Sequence, residues 1–396
     1  YYPENTGSKT GYRVLEPELF DGASLGKWFS KLRPPLPEFT IFGGMMISRD
    51  DLPHFRNLWK SPTSAARVVR LVMAHAWQRL FYRRGTRLVL GNALSGQLLK
   101  SLLALNVTVR TECEARELIS DEGRISGVRI EGPAGLQSIG ERQAVVLATG
   151  GFSHSKAKRE KYLPKGASAF TPYAPGSTGD GLDLGEQHGA VIGNDNSSNA
   201  YWCPVSIYQR ADGRRVVYPH TVADRGKPGS IIVNAAGKRF CNEAVSYHQF
   251  GEAQLARQRA APSNPAYLIC HAPFLWKYGL GAIKPFTRNV KPYEAAGYLT
   301  CAPSPDLLAQ KLEIDARGLR QTIESFNRDA RTGRDTEFSR GENVYSKYLG
   351  DKNVSPNPCL APLETAPYYA IALVPSDLGT AAGLSVNSNC QALDAT

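Results

Sequence analysis

The sequence lacks the long apolar runs, paired cysteines and metal-binding motifs that mark several large protein classes. Its longest apolar stretches, such as residues 144–148, are far shorter than the roughly 20 residues of a membrane-spanning helix. The seven cysteines are widely spread with no C-x-x-C pair, and the seven histidines include no H-E-x-x-H motif. These absences argue against a disulfide framework and a metal site. They predict free thiols in a reducing, cytoplasmic compartment.

The composition that remains is typical of a globular, enzyme-sized chain. At roughly 150 residues per domain, the 396 residues predict two to three domains, and 42% apolar residues are enough for real cores. The net charge of +11 arises from 47 basic and 36 acidic residues that are scattered without blocks. This pattern predicts a solvated basic surface and no nucleic-acid partner.

The two ends of the chain are unusual. It begins with Tyr1 and Tyr2, without Met, and stops at Thr396 directly after a strand-like segment. We therefore expect a segment of a longer polypeptide.

The first half of the chain changes from loops to helices. Residues 1–60 are broken by Gly and Pro and predict a covering segment. Residues 64–84 and 91–105 carry apolar side chains at helical spacing. Because the first of these helices is also basic, weak contact with a membrane surface is an alternative to a packed helix with a solvated face.

A nucleotide-binding half-domain is the interpretation of the next segment. Strands are predicted at residues 107–110, 127–131 and 138–139, followed by a wholly apolar strand at 144–152 that ends in Thr-Gly-Gly. The predicted order is a helix, a strand, a short antiparallel ribbon and a buried parallel strand. This order is typical of one βαβ half of a nucleotide-binding domain, with the ribbon as an insertion. Further on, the pattern predicts helices at 182–186 and 306–331, and strands at 230–234, 370–374 and 384–386.

Glycine-rich turns are the next candidate ligand contacts, although the dinucleotide fingerprint G-x-G-x-x-G is absent. Gly179 and Gly181 follow a Pro/Gly loop rather than a strand, so they are not predicted to form the first pyrophosphate loop. Glycines there, and at Gly150 and Gly151, can nevertheless bring backbone N–H groups close to a ligand. Taken alone, such a strand-then-glycine pattern is more often a tight turn.

Five motifs in one order carry a more specific signal. They are A-T-G-G-F at 148–152, T-G-D-G at 178–181, V-N-A-A-G-K-R-F-C-N-E at 233–243, S-F-N at 325–327 and D-L-G-T-A-A-G-L at 377–384. This order resembles the flavoproteins of the fumarate reductase and 3-ketosteroid dehydrogenase superfamily.

The resemblance implies an α/β protein with FAD as cofactor. It implies an incomplete Rossmann-like FAD-binding domain with an inserted α+β substrate-capping domain. The FAD-binding domain is expected at residues 1–240, including the covering segment at 1–85. The substrate domain then follows at 241–385, and the chain returns to the FAD-binding domain at 386–396. In the family, the G-x-G-x-x-G strand precedes the position of Tyr1.

The branch of the superfamily is predicted from one missing arginine. Fumarate reductases carry a proton-donating Arg just after the N-E pair, whereas residues 244–250 contain none. A dicarboxylate would then lack its proton donor and part of its bidentate clamp. The resemblance therefore favours 3-ketosteroid Δ1-dehydrogenases, which remove hydrogens from C1 and C2 of a 3-ketosteroid, with the proton taken by Tyr and the hydride by flavin N5.

In that branch two tyrosines are catalytic. One matches Tyr278, in K-Y-G-L-G, and the other matches Tyr1, or its neighbour Tyr2, in Y-Y-P-E. Without the family, Tyr278 is more simply a packed ring with a hydrogen-bonded hydroxyl. His220 resembles a substrate His of fumarate reductases in a changed order and is interpreted as a loop residue.

The resemblance also implies cofactor and substrate contacts. The expected FAD contacts are Ala148, Thr149, Gly150, Gly151, Thr178, Gly179, Asp180, Gly181, Asn242 and Glu243. The expected substrate pocket includes Tyr2, Tyr247 and Tyr369. For Glu243 a structural salt bridge is the alternative.

Three functions remain open at this point. The first is Δ1-dehydrogenation of a small apolar, 3-ketosteroid-like substrate, with an unassigned electron acceptor. The second is a fumarate reductase-like or Δ4-ketosteroid dehydrogenase. The third is a non-catalytic fragment that cannot retain FAD.

Overall fold

The computed structural model describes residues 16–48, 50–193, 195–221, 224–260 and 265–394. Among the described residues two compact units can be distinguished, one within residues 9–112 and the other within residues 113–396. Tyr1 and Tyr2 lie outside the described residues.

The unit of residues 9–112 is built from short strands and three helices. Its elements are β1 Phe20–Asp21, the 3-10 helices Gly22–Ser30 and Pro37–Phe39, β2 Thr40–Ile41, β3 Met45–Met46, α1 Leu52–Arg56, α2 Pro62–Phe81, β4 Arg87–Leu88 and α3 Leu90–Ala104. Strand β1 pairs with β4, and β2 pairs with β3. A small core forms around Phe29, Leu88 and Ala93. The two helices predicted at 64–84 and 91–105 are confirmed as α2 and α3.

Helix α2 leaves most of its apolar side chains exposed. It starts where the Ser61 side chain accepts a hydrogen bond from a backbone N–H of the first turn. Val68 is buried, whereas Trp77 and Leu80 are 66% and 70% exposed. The prediction of a helix that packs through Leu80 is therefore wrong at that residue. Among the described residues, no helix is both long enough and apolar enough to span a membrane.

The unit of residues 113–396 contains the remaining elements. Its strands are β5 Glu114–Asp121, β6 Arg124–Gly132, β7 Gly135–Gly140, β8 Ile192–Gly193, β9 Ala200–Gln209, β10 Arg215–Pro219, β11 Ser230–Val233, β12 Ala266–His271, β13 Thr300–Ala302, β14 Tyr368–Thr380 and β15 Gly383–Leu384. Its helices are α4 Lys156–Tyr162, α5 Asp180–Glu186, α6 Tyr247–Ala260, α7 Ala272–Tyr278, α8 Lys291–Ala295, α9 Pro305–Leu312, α10 Ala316–Thr332 and α11 Val344–Leu349.

A six-stranded antiparallel sheet organises this unit. Its order is β10-β9-β14-β12-β11, with β13 also paired to β14. Because side chains alternate along a strand, Leu268 and Cys270 of β12 join one core cluster while Ile269 joins the other. Helices α6 and α7 cover the first face through Phe250 and Phe274. Helices α9 and α10 cover the second.

Helix α10 shows why the local sequence folds as it does. Asp315 caps its start by accepting a hydrogen bond from Arg317 N, and Gly333 ends it in a left-handed conformation. Between them, Ile323 and Phe326 lie on the face that packs against the sheet. The helices predicted at 306–331 are confirmed as α9 and α10.

The predicted buried strand at residues 144–152 is wrong. These residues adopt no regular structure, and Val146 is 83% exposed. A strand is stable only beside a hydrogen-bonding neighbour, and no strand in the described part of the chain pairs with this segment. The strand predicted at 107–110 is wrong as well, since it follows α3 as an irregular segment. The antiparallel ribbon is confirmed as β6 and β7, and β5 adds a third strand that the pattern had not indicated.

The predicted domain boundary at residues 240 and 241 stays a prediction. In the structure it falls between β11 and β12, which are neighbours in the same sheet.

Candidate functional site

Two glycine-rich segments meet to form what we call the glycine cradle, residues 148–151 and 177–181. A Cβ atom on Gly181 would lie only 2.2 Å from Thr149 Oγ1, so the Thr149 side chain occupies the space that any residue other than glycine would need at position 181. Gly150 has a φ of +78°, and a Cβ atom there would lie 3.3 Å from Ser177 Oγ. Gly179, with a φ of +89°, sets the turn into α5. The predicted contacts of the two motifs are thus brought together.

Strand β14 closes the cradle from a third direction. Thr380 Oγ1 accepts a hydrogen bond of 3.1 Å from Phe152 N. A Cβ atom on Gly151 would lie 1.9 Å from the same oxygen. The D-L-G-T motif is therefore in direct contact with the A-T-G-G-F motif.

A buried ion pair holds these two motifs together. Asp377 has no solvent exposure and is bonded by Arg159. Ser153 Oγ donates to the other carboxylate oxygen at 2.6 Å. The Arg159 guanidinium also donates to the carbonyl of Ser153. These buried contacts therefore fix the A-T-G-G-F and D-L-G-T motifs relative to each other.

The other two predicted FAD contacts, Asn242 and Glu243, belong to a different cluster. Glu243 is fully buried and accepts two hydrogen bonds of 2.8 Å from Arg239, which also binds Asp335. Arg340 lies 3.3 Å from the same carboxylate. Burial opposes ionisation of Glu243, but the two guanidinium groups outweigh it and lower its pKa.

Asn242 is likewise engaged within the protein. Its side chain donates to Phe338 O at 3.1 Å and accepts from Ala244 N at 2.8 Å. For both residues the structural interpretation accounts for every contact seen. A role in FAD binding stays a prediction.

Tyr278, the predicted catalytic tyrosine, ends helix α7 with its hydroxyl held by a carboxylate. The hydroxyl donates to Asp351 Oδ2 at 2.7 Å, and Lys277 Nζ lies 2.7 Å from the same oxygen. Burial opposes ionisation of Asp351. The hydrogen bonds from Lys277 and Tyr278 outweigh it and hold the pKa of this carboxyl well below its usual range. The ring of Tyr278 packs edge-on against Phe274.

Tyr369, predicted for the substrate pocket, lines a cavity of about 550 Å³. The cavity is lined by Ala272, Pro273, Leu275, Trp276, Thr287, Arg288, Val290, Thr365 and Tyr369. Its size is in the range of small-molecule sites. Burial raises the pKa of Tyr369, which keeps this tyrosine neutral. Tyr278 and Tyr369 pack against the same core cluster.

The remaining predicted residues are less informative. Tyr247 is half-buried and is the first residue of α6. Tyr1 and Tyr2 lie outside the described residues. His220, interpreted as a loop residue, lies in the irregular segment directly after β10 and is fully buried.

Asp351 and Lys277 are the residues at Tyr278 that the motifs did not single out. Lys277 directly precedes Tyr278 in the K-Y-G-L-G segment, so the sequence already placed it beside the tyrosine. Asp351 is 73 residues away in the chain and stands in no recognisable motif.

Comparison with known proteins identifies the family. The model of the FAD binding domain family matches residues 9–396. The chain belongs to this family.

The chain is also similar to named dehydrogenases. It is 34% identical to a 4-oxocyclohex-2-ene-1-carboxylate 5-dehydrogenase of Sinomonas cyclohexanicum, over 98% of this chain and 66% of that protein. It is 31% identical to a 3-oxosteroid 1-dehydrogenase of Mycolicibacterium smegmatis, over 99% of this chain and 69% of that protein.

One solved structure is similar over nearly the whole chain. It is the 3-ketosteroid Δ1-dehydrogenase from Sterolibacterium denitrificans in complex with 1,4-androstadiene-3,17-dione, at 32% identity and a TM-score of 0.86. The match covers 96% of this chain and 68% of that one. The chain therefore spans about two thirds of the length of these relatives.

These matches confirm a flavoprotein of the oxidoreductase class with an α/β fold and FAD as cofactor. They also confirm the resemblance to 3-ketosteroid dehydrogenases. The incomplete Rossmann-like domain with an inserted capping domain stays a prediction, as do the domain bounds.

The glycine cradle fits this cofactor. Its exposed backbone at residues 148–150 carries no bulky side chain, and the hydroxyls of Thr149 and Thr178 are hydrogen-bonding groups for a phosphate or a polyol.

Proposed function

We propose that the chain carries the catalytic part of an FAD-dependent dehydrogenase that removes the C1 and C2 hydrogens of a 3-ketosteroid. The observation that carries this proposal is the placement of Tyr278, whose hydroxyl is fixed by Asp351 on the core cluster that also holds Tyr369. The similarity to 3-oxosteroid 1-dehydrogenases supports it. Residues 148–151 and 178–181 are proposed to hold FAD.

The chemistry requires a base beside the ketone. The carbon next to a carbonyl loses a proton, and its electron pair moves into an enolate. Tyr278 takes that proton. FAD, when bound, supplies the acceptor for the hydride from the neighbouring carbon. Leu275 and Trp276, on the turn before Tyr278, and Tyr369 give the cavity an apolar wall that suits a carbon ring.

A second substrate, a ring ketone that bears a carboxylate, is favoured by one observation. The relative from Sinomonas cyclohexanicum is named for such a compound. Arg288 contributes a cationic side chain to the cavity wall. A guanidinium is well suited to bind a carboxylate. Both substrates present a carbonyl on a six-membered ring, so one mechanism serves both.

The test uses the purified chain with FAD and an artificial electron-accepting dye. Androst-4-ene-3,17-dione and 4-oxocyclohexanecarboxylate are offered separately, and each product is identified by mass spectrometry and NMR. We expect a 1,4-diene-3-one from the steroid. Tyr278→Phe should lower kcat by about 10²- to 10⁴-fold. Tyr201→Phe, at an exposed tyrosine, is the matched control and should change little.

Three results would contradict the proposal, and a fourth would assign the second substrate. Unchanged 1,2-dehydrogenation in Tyr278→Phe would show that Tyr278 is not the base. A wild type that forms no 1,4-diene-3-one from the steroid would favour a Δ4-ketosteroid or fumarate reductase-like enzyme. A colourless protein that takes up no FAD would favour the non-catalytic fragment. An Arg288→Met variant that raises KM for the carboxylate alone would assign the second substrate.

A membrane surface is the remaining proposed partner. Met73, Trp77 and Phe81 project apolar side chains from α2, and no Asp or Glu occurs between Asp51 and Glu112. Such a face suits anionic lipid. The chain should co-sediment with phosphatidylglycerol vesicles at low salt and less so at high salt. Absence of binding at low salt would reject this partner.

A further inference from the structure

The contact between Tyr278 and Asp351 constrains how the tyrosine can act as a base. A tyrosine usually becomes a base by losing its proton, but its free pKa is about 10. Here the hydroxyl donates to a carboxylate that stays ionised at neutral pH. A phenolate 2.7 Å from a negative charge is strongly disfavoured. The hydroxyl proton of Tyr278 therefore points to Asp351, and this contact favours the neutral hydroxyl.

We propose that Asp351 takes over the hydroxyl proton of Tyr278 while Tyr278 takes a proton from the substrate carbon, an inference that rests on the proposed function. The substrate C–H bond breaks and its electron pair enters the enolate. A new O–H bond forms at Tyr278 Oη. The old Oη–H bond breaks and an O–H bond forms at Asp351 Oδ2. Tyr278 is neutral before and after the step, so no phenolate is needed.

The surroundings of Asp351 suit a group that accepts a proton and passes it on to solvent. Its other carboxylate oxygen accepts a hydrogen bond of 3.0 Å from Asn353 N, which fixes the orientation of the group. The Asp351 side chain is 7% exposed, and the Lys277 side chain beside it is 49% exposed. A proton on Asp351 therefore has a short way to solvent. Because Asp351 acts through Tyr278, it is a positioning and relay residue.

The charged groups around Asp351 come from three segments. Lys277 of α7 contacts the carboxylate directly. Lys227 donates to the carbonyl of Gly350 at 2.7 Å, and Lys352 follows in the chain. With these cations in place, Asp351 remains ionised throughout the neutral range.

Asp351→Asn is the test, because it keeps the shape and removes the proton acceptor. At pH 7 we expect kcat/KM to fall by about 100-fold or more. In this variant Tyr278 must ionise to act. The rate of the variant should therefore rise by about tenfold per pH unit as pH approaches the ordinary tyrosine pKa of ~10, whereas that of the wild type should not. A purely structural role would lower the rate equally at all pH values.

Coupling to Tyr278 gives a second measurement. In a Tyr278→Phe background, Asp351→Asn should cause no further loss of rate. Asp306→Asn, which breaks an exposed ion pair with Arg320, is the matched control and should leave the rate unchanged. If Asp351→Asn unfolds, Asp351→Glu replaces it and should keep the wild-type pH profile. Thermal melting and the flavin spectrum verify that each variant is folded.

A readout without turnover separates this inference from the proposed function. The ultraviolet titration of tyrosinate, compared between each protein and its Tyr278→Phe partner, reports on Tyr278 alone. The Tyr278 pKa should fall when Asp351 is replaced by Asn. A wild type that oxidises no cyclic ketone would refute the proposed function and with it the proton transfer, even if this shift were seen. An active wild type with an unchanged pKa, or with a pH-independent loss in Asp351→Asn, would overturn the relay alone.

Discussion

The hydroxyl groups of Ser206 and Tyr298 lie 2.7 Å apart in the core, and neither side chain is more than 6% exposed. Ser206 also contacts His220 Nε2 at 2.7 Å, and His220 Nδ1 contacts Asp224 Oδ2 at 2.7 Å. A Ser-His-Asp series suggests nucleophilic catalysis, but all three side chains are buried.

The chain of contacts instead supports the turn after Tyr278. Asp224 accepts a hydrogen bond from Gly281 N at 3.0 Å, and Tyr298 accepts one from Ala282 N at 2.9 Å. Gly281 has a φ of +56°, and a Cβ atom there would lie 2.1 Å from Tyr298 Oη. Asp224 and Tyr298 therefore hold the backbone at the end of the K-Y-G-L-G segment in place.

Tyr298→Phe should destabilise the protein by about 1–3 kcal/mol, because Ala282 N–H and the Ser206 hydroxyl lose a buried partner. Urea denaturation measures the loss. Tyr201→Phe removes an exposed hydroxyl and serves as the control. Equal stability of the two variants would show that the buried contact contributes nothing.

Glu243→Gln should be a folding defect rather than a cofactor defect. Replacement leaves Arg340, which is fully buried, without a carboxylate partner among the described residues, at a cost of about 3–5 kcal/mol. Urea denaturation should show this loss, while the flavin spectrum of the folded protein stays unchanged. Loss of FAD without loss of stability would restore Glu243 to the cofactor site.

Acid should destabilise the protein through His271. Burial lowers the pKa of His271 from 6.5 to about 4. Between these values the unfolded chain binds a proton that the folded protein does not, so stability falls as pH falls from 6.5 towards 4. We expect this residue to account for about 3 kcal/mol. In His271→Gln the pH dependence of the urea midpoint should be flatter, and an identical slope would contradict the assignment.

Local signals in the sequence predicted the helices well, because their causes are local. Helix α9 begins at its Ser304 cap and α10 at its Asp315 cap, and the apolar residues between the caps keep helical spacing. The strand expected at 144–152 did not form for the opposite reason, since apolar composition cannot supply the neighbouring strand that hydrogen-bonds to it.

In the candidate site, too, the features set by local sequence could be predicted and those set by tertiary contacts could not. The motifs indicated the glycine cradle, because each of its turns needs glycine at fixed positions. The partner of Tyr278 could not be predicted, since Asp351 reaches it only through the tertiary fold. For Glu243 the sequence left two alternatives, and the structure shows the salt bridges with Arg239 and Arg340, whose positions no local pattern could predict.

Gly151→Ala should weaken FAD binding because of the contact with Thr380. The new methyl group would meet Thr380 Oγ1 at 1.9 Å, so either the threonine or the A-T-G-G-F segment must move. Movement of Thr380 breaks its hydrogen bond with Phe152 N and shifts the cradle. Loss of one such bond is worth about 1 kcal/mol, and with the displaced backbone we expect FAD affinity to fall by about tenfold or more. Titration of flavin fluorescence measures the affinity.

Gly176→Ala is the matched control, since a Cβ atom there meets nothing within 4 Å. It lies in the loop before Thr178 and should leave the affinity unchanged. In the double variant Gly151→Ala with Thr380→Ala, the added methyl gains room and part of the affinity should return, although the hydrogen bond to Phe152 N remains lost. A Gly151→Ala protein that binds FAD as tightly as the Gly176→Ala protein would show that residues 148–151 do not hold the cofactor.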